Sequence, residues 1–123
     1  MKVLLSIKPE YADKILSGEK RFEFRKSIFK RDGIRTVIIY ATMPVGKVIG
    51  EFEIETILSD RPDSIWDRTS QSSGITKDFF DSYFSERSKA YAIEVKSTKK
   101  YSIPQDLSEI KIGLKAPQSF AYV

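Results

Sequence analysis

The sequence predicts an α+β domain in which about five or six β-strands form a barrel-like sheet around a small helical insert. Two observations favour this fold class. Apolar and polar side chains alternate over residues 20–26 and 47–58, which is the period of a strand with one buried face. Residues 61–85 instead carry aromatic side chains at helical spacing. A length of 123 residues is enough for a hydrophobic core, and we expect a single domain over residues 1–123.

The chain opens with a predicted strand, helix and strand. Val3 to Ile7 is a short apolar strand, and residues 20–26 form the second, half-buried one. Pro9 suits a first helical turn, where its missing N–H costs nothing. Gly18 falls where a helix-ending glycine belongs, so the helix should lie between these two residues.

The middle of the chain should hold a central strand followed by a bent one. Thr36 to Ala41 is an apolar run that fits a strand buried on both faces. Lys47 to Leu58 alternates, and Gly50 within it predicts a bulge or a sharp bend.

The helical insert begins with a short helix around Pro62 and Trp66, and Thr76 should cap a second helix. That second helix carries Phe79, Phe80, Tyr83 and Phe84, which could stack on bases as in single-strand binders. Their helical spacing favours core packing instead for these aromatics and for Trp66.

The C-terminal third should contain two more strands. Ala90 to Val95 is the first of them, and Lys96 to Lys100 is a basic turn or an extension of that strand. Residues 101–104 begin an irregular connection, and Ser119 to Val123 forms a last short strand or extended tail.

Composition narrows the chemistry that the protein can perform. The chain has no histidine and no cysteine, which removes the usual zinc sites and the Ser-His-Asp and Cys-His arrangements. Catalysis would have to use Lys, Glu, Asp, Tyr, Ser or Thr with shifted pKa values. No Asp cluster indicates a magnesium site, and nothing points to a cofactor.

Cellular location is predicted from the same composition. Without cysteine there is no disulfide framework, so a reducing cytoplasm is the expected home. No apolar run is long enough for a membrane span, and the N-terminus does not have the pattern of a signal peptide.

Charge is distributed unevenly along the chain. Residues 1–35 carry ten Lys and Arg against five Asp and Glu, whereas the remainder carries eleven against twelve. This asymmetry points to an anionic partner on the N-terminal half, although a solvated basic face without a partner explains it equally well.

One motif concentrates chemistry on the second strand. In Gly18-x-Lys20-x-x-Glu23-x-Arg25, the last two residues lie two apart and share a strand face. Arg25 could clasp a phosphate or a base edge, and Glu23 could orient that guanidinium or accept from an amino group. A surface ion pair is the alternative. The direction of Lys20 is open: it either turns into a cleft, where desolvation would lower its pKa, or stays solvated.

The motif matches the ASCH domain at every fixed position, and other segments of the chain are similar to that family as well. Those segments are Ser6-Ile7-Lys8-Pro9, Tyr40 to Pro44, Gly50-Glu51-Phe52 and Ala116 to Phe120. The resemblance implies a PUA-like β-barrel with a cleft beside the motif, which binds RNA, a nucleotide or a modified nucleoside. It further implies ligand-binding roles for eight residues: Lys8, Lys20, Glu23, Arg25, Thr42, Pro44, Gln118 and Ser119.

Family members differ in activity, so the resemblance leaves several functions open. Some are described as predicted transcriptional regulators, and ribonuclease activity is proposed for others. One subgroup hydrolyses N4-acetylcytidine, which here would use Lys20 and Glu23 as catalytic residues; that subgroup has a threonine at the position of Glu23. We therefore expect a binding module first, an amidohydrolase or ribonuclease second, and an interaction domain without a ligand third. Oligomeric state is left open by the sequence.

Overall fold

A computed structural model describes residues 1–123 and shows one six-stranded sheet that is curled into a half-barrel, with short helices packed on it. This confirms the predicted α+β class and strand number. The strands are β1 (Val3–Ile7), β2 (Phe22–Arg25), β3 (Thr36–Ala41), β4 (Lys47–Asp60), β5 (Ala90–Gln105) and β6 (Phe120–Tyr122). The helices are α1 (Pro9–Ser17), α2 (Pro62–Thr69), α3 (Lys77–Tyr83) and α4 (Leu107–Ile110), with one 3-10 turn at Ser70–Ser72.

The sheet has the strand order β2-β5-β4-β3-β1-β6. β1 and β3 run parallel, with Val3 opposite Val37, and all the other pairs are antiparallel. Every residue of β3 is buried, as its unbroken apolar sequence predicts. β2 and β6 lie at the two edges, and no backbone ladder joins them.

The bend predicted at Gly50 is present. The pairing of β4 with both of its neighbours changes register beside this residue. A side chain here would place its Cβ 2.7 Å from the carbonyl oxygen of Lys99 and 2.9 Å from Leu16, so only glycine lets the strands and α1 approach so closely. Gly50 therefore sets part of the curvature of the sheet.

Helix α1 has the ends that the sequence predicts. Pro9 occupies the first turn, and Gly18 adopts a left-handed conformation with φ of 88°. The Gly18 N–H donates to the carbonyl oxygen of Ile15, 3.1 Å away, which satisfies an otherwise free end of the helix. The chain then turns directly into β2.

One prediction for the chain after residue 95 was wrong. β5 runs without interruption to Gln105, so Lys96 to Lys100 form the strand extension that the sequence allowed as one of two alternatives. The strand also includes residues 101–104, where we expected an irregular connection. The strand persists because β4 pairs along it, with Val48 opposite Gln105. Most side chains from Lys96 to Pro104 are exposed on both faces, so no alternation marks this part of the strand.

The helical insert builds its own hydrophobic cluster on the sheet. Phe80 and Phe84 are buried against Phe24 from β2, and Trp66 packs 5.0 Å from the Phe80 ring. Thr76 caps α3 as predicted, since its hydroxyl accepts from the N–H of Phe79. This cluster fixes α3 beside β2 and thereby positions one wall of the site.

Candidate functional site

A cavity of about 280 Å³ opens between β2, the end of β1, the start of α1 and the insert. Its polar lining comes from the motif and from the two ends of the chain, and three of its six apolar residues come from the insert. The lining residues are Ser6, Ile7, Lys8, Tyr11, Lys20, Glu23, Phe24, Arg25, Ile75, Phe79, Tyr83 and Gln118. We call this cavity the cleft.

Lys20 turns into the cleft, which decides between the two directions that the sequence left open. The residue is only 2% exposed, and its Nζ donates to the carbonyl oxygen of Ser73, 2.6 Å away. Nζ also lies 4.7 Å from the centre of the Phe24 ring. Because β2 begins only at Phe22, strand alternation does not govern the direction of this side chain.

Burial, together with the nearby positive charge of Lys14, lowers the pKa of the Lys20 ammonium to about 8. The negative charge of Glu23 acts in the opposite direction but does not cancel the cost of desolvation. At neutral pH about a tenth of the molecules would therefore carry a neutral amine at this position. Such an amine can accept a proton, which an ordinary exposed lysine cannot do efficiently.

The loop between α2 and α3 seals Lys20 from one side. Gly74 adopts φ of +70°, and its backbone lies directly against the lysine stem. A Cβ at this position would lie 2.5–2.8 Å from the Cβ, Cγ and Cδ atoms of Lys20. Lys14 also reaches the loop, with its Nζ 3.4 Å from the Gly74 carbonyl oxygen.

Glu23 and Arg25 share one face of β2, as strand alternation predicts. An Nη1–Oε2 hydrogen bond of 3.0 Å joins them, and their side chains are only 9% and 11% exposed, respectively. This ion pair is therefore buried, and the alternative of an ordinary surface ion pair is wrong. Arg25 also donates to groups at the other side of the sheet: the Ser6 carbonyl oxygen on β1, and the carbonyl and hydroxyl oxygens of Ser119, directly before β6.

Aromatic rings form the opposite wall of the cleft. Tyr11 and Phe79 lie 5.5 Å apart, while Phe79 and Tyr83 lie 6.3 Å apart with nearly parallel planes. The ammonium of Lys8 lies 5.8 Å from the centre of the Phe79 ring, at the exposed rim. Burial raises the pKa of both tyrosines, so their hydroxyls stay protonated and can donate.

The structure brings together most of the predicted ligand-binding residues. Lys8, Lys20, Glu23, Arg25 and Gln118 line the cleft directly. Ser119 does not line it but contacts the guanidinium of Arg25.

Thr42 and Pro44 lie in the turn after β3 and are not among the lining residues. The N–H of Thr42 donates to the carbonyl oxygen of Ile7, so this turn supports the cleft from outside. A role for these two residues in ligand binding stays a prediction.

The aromatic wall corresponds to the less favoured of two alternatives from the sequence. Core packing is favoured over base stacking for Phe79 and Tyr83, yet both line the cleft, and only Phe80 and Phe84 of this helix are buried in the insert cluster. The helical pattern identified one apolar face of α3. This face is wide enough to contact both the insert cluster and the cleft. Which of its aromatic residues lie in the cluster and which line the cleft depends on how α3 packs.

No helix is long and apolar enough to cross a membrane. No group of three or more Asp and Glu side chains gathers where it could hold a metal ion.

Comparisons with known proteins place this chain among characterised sequences and structures. The family model of the ASCH domain matches residues 5–100. Large ribosomal subunit protein uL22 of Ureaplasma parvum serovar 3 is 34% identical over 122 residues, covering 98% of this chain. The chain spans only 39% of the length of that relative.

In two further matches, the aligned region covers most of this chain and most of the matched protein. The ASCH domain-containing ribonuclease of Zymomonas mobilis subsp. mobilis is 30% identical over 123 residues, which covers 98% of this chain and 82% of the relative. The crystal structure of ASCH from Zymomonas mobilis superposes with a TM-score of 0.91 at 30% identity, covering 99% of this chain and 87% of that one. This likeness confirms the predicted PUA-like fold.

Proposed function

The chain belongs to the ASCH domain family, and from this premise we propose that it binds RNA, with one nucleotide at a time seated in the cleft. The observation that carries the proposal is the arrangement of the cleft. Buried charged groups from Lys20 and Glu23 face a wall of aromatic rings across a volume near the lower end for small-ligand sites. A single base and its sugar fit such a space, whereas a duplex does not.

The two walls would perform different tasks. Phe79 and Tyr83 offer flat faces on which a base can stack, and stacking contributes about 1–3 kcal/mol per base in single-strand binders. The Glu23 carboxylate can accept from an amino group, and the Lys20 ammonium can donate to a carbonyl oxygen or a phosphate. Lys8 at the rim adds a positive charge where the backbone of the strand would leave the cleft.

The basic N-terminal region supports an anionic ligand. Residues 1–25, which include β1, α1 and β2 and supply most of the polar lining, hold six Lys and Arg against four Asp and Glu. Residues 26–35, directly after β2, add four against one. Phosphate neutralisation releases counterions, so binding should weaken as salt increases.

Binding to single-stranded RNA, single-stranded DNA and duplex DNA of equal length, at two ionic strengths, tests the proposal. We expect salt-sensitive binding to single-stranded RNA that Lys20→Met weakens at least tenfold, roughly the effect of losing one charged hydrogen bond. Lys100→Met is the matched control, because Lys100 is an exposed lysine on β5 outside the cleft. The proposal fails if no nucleic acid binds, or if both substitutions weaken binding equally.

RNA cleavage is a second candidate function, and two observations favour it. The Zymomonas mobilis relative is named a ribonuclease, and the cleft here holds an amine whose pKa is lowered to about 8. The neutral amine of Lys20 would take the proton of a ribose 2′-hydroxyl. The 2′-oxygen would then form a bond to phosphorus while the bond from phosphorus to the 5′-oxygen breaks. A neutral tyrosine of the wall, Tyr11 or Tyr83, or water would supply the proton that the leaving oxygen needs.

Cleavage is tested by incubating the protein with end-labelled RNA and with the same RNA carrying a 2′-O-methyl group at every position. We expect the unmodified RNA to give products with a 2′,3′-cyclic phosphate end and the methylated RNA to stay intact. Cleavage that survives either 2′-O-methylation or Lys20→Met would reject Lys20 as the base. Addition of N4-acetylcytidine to the same assay checks the amidohydrolase alternative, which stays a prediction.

A further inference from the structure

Arg25 connects the two edges of the sheet where the backbone does not. It lies at the end of β2, one edge strand, while Ser119 directly precedes β6, the other edge strand. The Nη2 atom of Arg25 lies 2.7 Å from the Ser119 carbonyl oxygen and 3.1 Å from its hydroxyl oxygen. Side-chain hydrogen bonds here take the place of a strand ladder.

The terminal donors of this guanidinium are already occupied. Nη1 donates to Glu23 at 3.0 Å and to the Ser6 carbonyl oxygen at 3.4 Å, and Nη2 makes the two bonds to Ser119. Each terminal nitrogen of an arginine carries two hydrogens, so these four bonds use all of them. A phosphate could be held by the same fork only if these bonds were broken.

Ser6, on β1, also makes hydrogen bonds to the segment around Ser119. Its hydroxyl donates to the Pro117 carbonyl oxygen at 2.6 Å, and its N–H donates to the Ser119 carbonyl oxygen at 3.3 Å. Residues 117–119 are thus held from two strands, and Gln118 in their middle lines the cleft. We call residues 117–119 the strap.

We infer that Arg25 is a positioning residue, which holds the strap against β1 and β2 and so places Gln118 at the ligand, and that it does not itself contact the ligand. This inference differs from the sequence-based expectation that Arg25 clasps a phosphate. The expected effect of Arg25 on RNA affinity rests on the proposed function. The expected effect of Arg25 on the position of the strap does not.

Salt dependence separates a positioning role from direct contact. A lost phosphate contact would lower the slope of log affinity against log salt by about 0.7 for a single strand. If Arg25 acts through the strap, Arg25→Ala should weaken RNA binding roughly tenfold, as for one charged hydrogen bond, and leave that slope unchanged. Arg25→Lys should bind RNA as weakly as Arg25→Ala, because an ammonium group cannot reproduce the planar fork of donors in the guanidinium. Full rescue by lysine, or a reduced slope, would overturn the inference.

Two further variants complete the binding experiment. Arg21→Ala is the matched control, since the Arg21 guanidinium donates to a single carbonyl, that of Val95, and lies outside the cleft. Removal of Arg25 leaves Glu23 buried without its partner, so that variant could unfold. Ser6→Ala loosens the strap without disturbing the ion pair, and we expect it to weaken binding in the same way, with an unchanged slope.

Amide hydrogen exchange tests the strap without any RNA. In Arg25→Lys and in Ser6→Ala, the amides of Ser6 and of residues 120–123 should exchange roughly tenfold faster, while those of β3 keep their protection. Unchanged exchange at Ser6 and at residues 120–123 would refute the positioning role even if RNA binds. If wild-type protein binds no RNA but the strap loosens as described, only the proposed function is lost.

Discussion

The Nζ atom of Lys20 lies 2.6 Å from the carbonyl oxygen of Ser73, and this hydrogen bond joins the motif to the helical insert. The two residues are 53 positions apart in sequence. The insert thereby supplies both the partner and the cover of the one strongly buried lysine in the chain.

Replacement of Lys20 should stabilise the protein. Because burial lowers the pKa of this ammonium from 10.5 to about 8, the folded state opposes the charged form. The resulting penalty is fully present below about pH 8 and disappears as the pH rises towards 10.5, since the unfolded chain holds the proton over that interval. Lys20→Met should therefore raise the free energy of unfolding by about 1–3 kcal/mol near neutral pH, after the lost bond to Ser73 is counted.

Urea unfolding of both proteins at about pH 7 and about pH 9.5 measures this difference. The gain should shrink at the higher pH, where wild-type Lys20 is mostly neutral. A substitution that destabilises the protein at neutral pH would show that the hydrogen bond to Ser73 outweighs the cost of burying the charge.

The two charges nearest Lys20 should shift its pKa in opposite directions. Glu23 raises the pKa of Lys20, so Glu23→Gln should lower it below about 8. Lys14 lowers the same pKa, so Lys14→Gln should raise it. NMR titration of the Lys20 side chain follows both shifts directly, and the rising limb of any cleavage activity should move with them. If both variants shifted the pKa of Lys20 in the same direction, the electrostatic explanation would be contradicted.

A methyl group at Gly74 should displace Lys20. The Cβ of Gly74→Ala would lie 2.5–2.8 Å from three atoms of the lysine stem, and φ of +70° is itself unfavourable for alanine. We expect a loss of about 2–4 kcal/mol in the free energy of unfolding, together with a rise in the pKa of Lys20 as the insert moves away.

Gly33→Ala is the matched control for that experiment. Gly33 has a similar φ of +80°, but no atom lies within 4 Å of its Cβ position. Its substitution should therefore cost only the backbone strain, about 1–2 kcal/mol. Equal losses at the two positions would mean that the contact with Lys20 is not what makes Gly74 necessary.

The aromatic wall should contribute to RNA affinity through stacking. Phe79→Ala removes a ring that lies beside both Tyr11 and Tyr83, and we expect binding to weaken by about 1–3 kcal/mol. Phe79→Tyr keeps the ring and should bind nearly as the wild type does. Fluorescence titration with a short single-stranded RNA compares the three proteins. If alanine binds as well as tyrosine, the ring is only part of the packing.

Much of the fold followed from local chemistry in the sequence. Pro9 and Gly18 delimit α1, Thr76 caps α3, and Gly50 marks the bend, because each depends on the conformation of a few neighbouring residues. The pairing of Glu23 with Arg25 was predictable for the same reason, since residues two apart on a strand share a face. The end of β5 from residue 101 was missed because its register depends on β4 and not on its own pattern.

The sequence alone therefore determined the motif and its face, while only the tertiary structure decided what surrounds it. The direction of Lys20 depends on Ser73 and Gly74, and the partners of Arg25 lie at both ends of the chain. No local pattern reports such contacts, because they form only when the curled sheet brings distant segments together. Burial and charge at these few contacts give the motif lysine its lowered pKa and set the role that we infer for the motif arginine.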